Sequence, residues 1–342
     1  MNQRLKEITY LRAFAALSII LVHASSGYVN TGPLCTLVNQ LPRYGTPIFV
    51  MMSGFILYHV ELIRPSPSYW LFFKHRFLKV AIPYLIWTVI YSTYSMRGYL
   101  LNPDSLEAVT IMQTYLFNIV TGRGFVHLYF ILVMIQLYAL FPFLQKGMER
   151  CTYTTLTTVA LISFLFQALI YLHSLNVIIL PSLGIAYVAL FPGWLFFFCL
   201  GIYLKTRQKQ VKDFWQKRIF FCTLIWLCLA IIVFFDRKQL QIDLGLRPTV
   251  TLYGIASFFL FNVIFANLKN YTPKRADQLI EWLANSSFHL YLIHPLALSL
   301  LILPYNWPGY YGMAALYVTT VILTLLFIYI LDKIKELTKR TA

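Results

Sequence analysis

Charge is what this sequence has least of. Charged residues make up 12% of its 342 positions and hydrophobic ones 59%, against roughly 25% and 45–50% in soluble domains. No soluble core absorbs such an excess, whereas a bilayer span needs about 20 mainly apolar residues and tolerates an apolar outer face. Cysteine is also sparse. Cys35, Cys151, Cys199, Cys222 and Cys228 are odd in number and lack CxxC spacing, which argues against a disulfide framework and against a zinc site; no metal is expected. GxSxG, HExxH, Walker and GxGxxG contexts are missing. No pair of carboxylates falls inside an apolar run, so the midplane proton relays of many transporters are missing too. With neither an internal repeat nor a long polar linker, residues 1–342 read as a single membrane domain.

What is present is a series of apolar runs, near 8–29, 43–63, 77–96, 125–145, 153–173, 188–204, 218–235, 249–268, 283–303 and 312–331. These predict an all-α integral membrane protein of about ten transmembrane helices, multi-pass in the cell membrane. The first run extends over about 22 residues, beyond the roughly 7–15 of a signal-peptide core, and is read as a retained span. Residues 109–121 are too few to cross and are expected to form an interfacial or re-entrant helix.

The net charge of +16 then reports orientation rather than nucleic-acid binding. Counted by alternate loops, 21 of the 28 Lys and Arg fall on the side of the termini: Arg4 and Lys6, four in 64–80, Lys146 and Arg150, six in 205–218, Lys269, Lys274 and Arg275, and Lys333, Lys335, Lys339 and Arg340. Six fall opposite: Arg43, Arg97, Arg123, Arg237, Lys238 and Arg247. The imbalance predicts cytoplasmic termini and an even number of spans.

Arg12 and His23 both lie inside the first run. Eleven helical steps amount to three turns plus 20°, placing the two side chains on one face about 16 Å apart along the axis. Polar residues inside spans default to functional candidates; the alternative is that Arg12 snorkels to the headgroups and His23 packs against a local polar group. Ser53 and Gly54 read as small residues for close helix packing rather than as catalytic groups. His294 precedes Pro295 in the ninth run, where a kink is expected, at a depth comparable to His23. His127 stands at the outer end of the fourth run.

An Arg, ten residues and a His at the start of a ten-span chain resembles the signature of the membrane-bound acyltransferase 3 family. Three further segments are similar to that family at matching places: FVMMSGFILY (49–58), KHRFLKVAIPY (74–84) and SSFHLYLIHP (286–295). Where many relatives have two arginines three apart, this chain has Arg76 and Lys79, keeping the charge but losing one bidentate fork.

The resemblance implies an enzyme that moves an acyl group, acetyl or succinyl, from cytoplasmic acyl-CoA to a hydroxyl of an extracytoplasmic cell-envelope glycan or lipid-linked sugar. Acyl-CoA is then a co-substrate, with no permanently bound cofactor. Arg12, Arg76 and Lys79 would take its phosphates, the pantetheine arm would span the ~16 Å to His23, and His23 would serve as general base or transient acyl carrier. His294 and His127 are the candidates for an acceptor site or for supporting His23. The rival from another class is a polytopic exporter of polysaccharide or small solutes.

Overall fold

A computed structural model describes residues 6–66, 68–101, 108–240, 245–302 and 308–341. Arg4, counted above, lies outside them. Every regular element among the described residues is helical, as a chain must be where the bilayer supplies no water to its backbone. Among the described residues, eight helices are long and apolar enough to cross a membrane: Lys6–Tyr28, Pro33–Ile63, Tyr69–Ser95, Tyr129–Arg150, Thr152–Ser174, Ile219–Arg237, Pro248–Leu268 and Gly309–Thr338. At the places of the sixth and ninth expected spans stand two shorter apolar helices, Phe191–Thr206 and Ser287–Ile302. The molecule is a multi-pass, all-helical membrane protein.

The chain forms two compact units. The first comprises Met1–Phe49, Lys209–Asp243 and Thr249–Ala342; the second comprises Val50–Gln208 and Leu244–Pro248. In the first are α1 (Lys6–Ser25), α2 (Pro33–Gln40), nearly all of α10 (Gln208–Gln216), α11 (Ile219–Leu240), nearly all of α12 (Pro248–Leu268), α13 (Lys274–Asn285), α14 (Ser287–Ile302) and α15 (Gly309–Thr341). In the second are α4 (Tyr69–Ser95), α5 (Arg97–Leu100), α6 (Ala108–Thr121), α7 (Tyr129–Arg150), α8 (Thr152–Ser174) and α9 (Leu195–Thr206). The boundary falls inside α3 (Gly45–Ile63).

The first unit is organised around α1, which packs against α13, α14 and α15. Its small residues permit this: Ala13, Ala15, Ala16 and Ala24 are all buried, and close backbone approach is what drives helix association where lipid is as apolar as the side chains. At the Lys6 end the contacts are polar. Lys6 pairs with Asp277, Tyr10 donates to the same carboxylate at 2.8 Å, and Lys269 pairs with Glu7 at 2.7 Å. Held chiefly by Lys6 and also by Tyr10, the Asp277 carboxyl sits below the usual carboxylate range.

In the second unit α3 and α9 meet at glycines. A Cβ on Gly54 would lie 2.1 Å from the Phe198 carbonyl oxygen, and one on Gly201 would lie 1.9 Å from that of Met51. Gly54 is therefore a packing residue, as its sequence context suggested. The basic stretch 74–79, read above as loop, is instead helical. Ser68 caps α4 by accepting from the Leu71 amide at 3.2 Å, so helix begins before the charges do, with Pro83 inside it. The 14-residue α6 is pinned along α4: Tyr84 donates to the Ile119 carbonyl at 2.6 Å and Asn118 to Ser92 at 3.0 Å.

Candidate active site

His23 lies in the last turn of α1 and His294 in the middle of α14, and the two imidazoles are neighbours, with ring centroids 5.2 Å apart and planes tilted by 45°. Each arrives there for a local reason. The apolar run that makes α1 a span carries His23 to the end of α1 remote from Lys6. Ala24 beside it packs with Leu298 and Leu316, so apolar side chains of α14 and α15 wall that turn. His294 is fully buried. Pro295 after it has no N–H and so removes the usual helix donor to the Tyr291 carbonyl, and the imidazole folds back along the same turn, with Nδ1 2.9 Å from the Leu290 carbonyl oxygen. Carbonyls only accept, so Nδ1 carries the proton, and in the neutral ring Nε2 carries the lone pair. One half-buried and one buried histidine therefore sit side by side, the second in a fixed tautomer.

The turn bearing His23 is itself held by side chains. Its last carbonyls belong to a helix terminus, where backbone acceptors lose their partners. Ser25 donates to the Leu21 carbonyl at 2.6 Å, Asn39 donates to that of Val22 at 2.9 Å, and Ser26 donates to that of His23 at 2.8 Å.

Arg12 lies two turns into α1. Its Nε donates to the Ala284 carbonyl at 2.7 Å, Nη2 contacts the same oxygen, and Nη2 also donates to Asn285 Oδ1 at 3.2 Å. Ala284 and Asn285 end α13, so the guanidinium caps that helix and meets the negative end of its dipole. This contact is a structural role that the sequence reading did not include.

A cavity of about 490 Å³ opens at the His23 end of α1, between the chain leaving α1, the start of α2 and the last turns of α11. Val29, Asn30, Thr36, Phe234 and Arg237 line it. Arg237 is only 8% exposed, and Thr36 fixes the loop by donating to the Val29 carbonyl at 2.6 Å. A half-polar hollow with a sunken guanidinium suits a hydroxylated molecule of polar or anionic character.

The remaining candidates lie in the second unit. Arg76 is half-buried and Lys79 exposed, one turn apart on α4. Arg76 is near Tyr138 of α7, whose hydroxyl is hydrogen-bonded to Ser53. His127 is 1% exposed and packs edge-on against Tyr91 at 5.0 Å and Phe125 at 6.0 Å. These ring contacts place it among aromatic side chains of its own unit. Three residues here escaped the sequence reading: Asn39, Arg43 and Arg237. For the two arginines there was a signal, since both stand among the few cations on the charge-poor side.

A family model described as an acyltransferase domain, acyltransferase 3, matches residues 5–333. Among curated proteins, a Bacillus subtilis (strain 168) protein provisionally named a membrane-bound acyltransferase is 25% identical over 310 residues, covering 85% of this chain and 80% of that protein. A Staphylococcus aureus (strain MRSA252) protein provisionally named a poly-beta-1,6-N-acetyl-D-glucosamine export protein is 21% identical over 305 residues, covering 85% and 82%. No solved structure matches.

Proposed function

Because the chain belongs to the acyltransferase 3 family, we propose that it moves an acyl group, acetyl or succinyl, from acyl-CoA to a hydroxyl of an extracytoplasmic cell-envelope sugar, with His23 as the catalytic residue. The observation that carries this reading is the contact between His23 and His294. With His294 protonated on Nδ1 by its bond to Leu290, Nε2 is the nitrogen we assign as acceptor for the N–H of His23. Such a bond would orient the His23 ring and leave its second nitrogen basic, the job that a carboxylate does for catalytic histidines elsewhere.

The reaction then runs as general-base catalysis. His23 takes the proton of the acceptor hydroxyl, the hydroxyl oxygen attacks the thioester carbonyl, the new C–O bond forms as the C–S bond breaks, and the imidazolium returns the proton to the leaving thiolate. The cavity beside Asn30 and Arg237 is our assignment for the sugar. At the other end of α1, Nε and Nη2 of Arg12 are engaged by α13, and Nη1 is the nitrogen assigned to a donor phosphate.

The test is free-thiol release from acetyl-CoA and succinyl-CoA by purified protein in lipid, with a panel of envelope sugars. His23→Ala should lower the rate by about 10²–10⁴ while the protein stays folded. No thiol release from the wild type overturns the reading. The name of the staphylococcal relative favours one alternative, export of polysaccharide, which predicts movement of glycan across a vesicle membrane with no thioester consumed.

A further inference from the structure

Asn39 stands on α2 behind the turn that carries His23, is completely buried, and uses every hydrogen-bonding position it has. Its Nδ2 donates to the Val22 carbonyl at 2.9 Å and to Ser25 Oγ at 3.0 Å. Its Oδ1 accepts from Gln40 Nε2 and from Arg43 Nη2, both at 2.8 Å. An amide has two donors and two acceptor lone pairs, so all four are committed.

The orientation of that amide is dictated by Arg43. A guanidinium has no acceptor, so Oδ1 must face it, and Nδ2 must then face Val22 and Ser25. Arg43 is only 8% exposed, and a charge-assisted bond of this kind is about twice as strong as a neutral one. The order of dependence is thus Arg43, then Asn39, then the Val22 and Ser25 positions that flank His23 on either side. A local packing role would not need a buried cation, since burying one costs several kcal/mol before its contacts are counted.

We propose that Asn39 and Arg43 are positioning residues for His23, fixing the last turn of α1 so that the imidazole meets His294 and the reacting hydroxyl in one geometry. The proposal rests on the acyl-transfer reading for its kinetic consequence but not for its structural one. Displacement of a reacting group by about 1 Å can lower a rate by about 10²-fold, and the bond from Asn39 to Val22 is what prevents such a shift here.

The experiment uses three variants of the full chain in lipid. Asn39→Asp keeps the shape and the acceptor for Arg43 but cannot donate to the Val22 carbonyl; Arg43→Gln removes the charge; Arg43→Lys keeps a charged donor. Asn39→Asp and Arg43→Gln should lower kcat for thiol release by about 10- to 100-fold with KM for acetyl-CoA unchanged, and Arg43→Lys should restore most of the rate lost in Arg43→Gln. On the same preparations, the rate at which diethylpyrocarbonate modifies His23, read by mass spectrometry, should change in Asn39→Asp and Arg43→Gln. Wild-type kcat and wild-type reactivity of His23 in Asn39→Asp would overturn the proposal, as would a loss explained wholly by less folded protein. If the wild type itself releases no thiol, the acyl-transfer reading falls, and the reactivity of His23 alone decides: an unchanged rate overturns the positioning role, a changed one sustains it.

Discussion

The imidazole of His23 rests against that of His294, the first on the opening helix of the chain and the second 271 residues later on α14. If the pair works as one unit, its members are not additive. His294→Phe, which keeps the aromatic bulk, should lower kcat for thiol release by about tenfold or more, and the double variant with His23→Ala should be no slower than His23→Ala alone. Independent, multiplying losses in the double variant would separate the two roles.

Arg12 caps α13, so its removal is first a stability event. Arg12→Ala strips the Ala284 carbonyl of its donor and should cost about 1–3 kcal/mol, seen as a lower thermal midpoint in detergent. A phosphate role adds a second signature: KM for acetyl-CoA rises while KM for acetyl-pantetheine, which lacks the nucleotide phosphates, does not.

The same comparison applies to α4. Arg76→Ala should raise KM for acetyl-CoA selectively, and Lys79→Arg, by restoring a bidentate fork, should lower it. Equal effects on both thioesters would point to packing instead.

Gly54→Ala and Gly201→Ala each force a methyl group against a carbonyl oxygen of the facing helix. Backbone cannot swing aside as a side chain can, so a loss at the upper end of about 1–3 kcal/mol is expected. Gly98→Ala, where a Cβ would meet nothing within 4 Å, should leave the thermal midpoint unchanged and serves as the control.

The depressed Asp277 carboxyl fixes the sign of one pH effect. A carboxyl whose folded value lies below its unfolded one, about 3.9, contributes stability above that value and loses it as the pH falls through the folded value. Asp277→Asn should therefore be less stable than wild type at pH 7, and the two thermal midpoints should converge in acid below about pH 4. A constant gap across that range would mean that the Lys6 contact contributes nothing through charge.

Much of this was legible beforehand because it depends on local pattern. Apolar runs marked the long helices, and the polar residues inside them, Arg12, His23 and His294, stood out as candidates for that reason alone. The ninth run failed at its boundary: the break falls at Ser286, because Lys274–Asn285 is amphipathic and its end is capped by Arg12. The basic stretch 74–79 failed because charge was read as loop, whereas a single serine cap upstream suffices to start the helix. Asn39 could not be found at all. A lone amide acquires meaning only from the carbonyl it faces, and no spacing rule connects Asn39 to Val22.

The polar contacts of α1 also impose a schedule on synthesis. Lys6, Glu7, Tyr10 and Arg12 find their partners at Asp277, Lys269 and Ala284, separated from them by 262 to 272 residues of chain. At about 5–20 residues per second, the first helix waits roughly 13–55 s for the segments that neutralise it. During that interval an inserted α1 holds an acid and two bases at one membrane face without these partners, so the polar contacts that fix the first helix are among the last of the molecule to close.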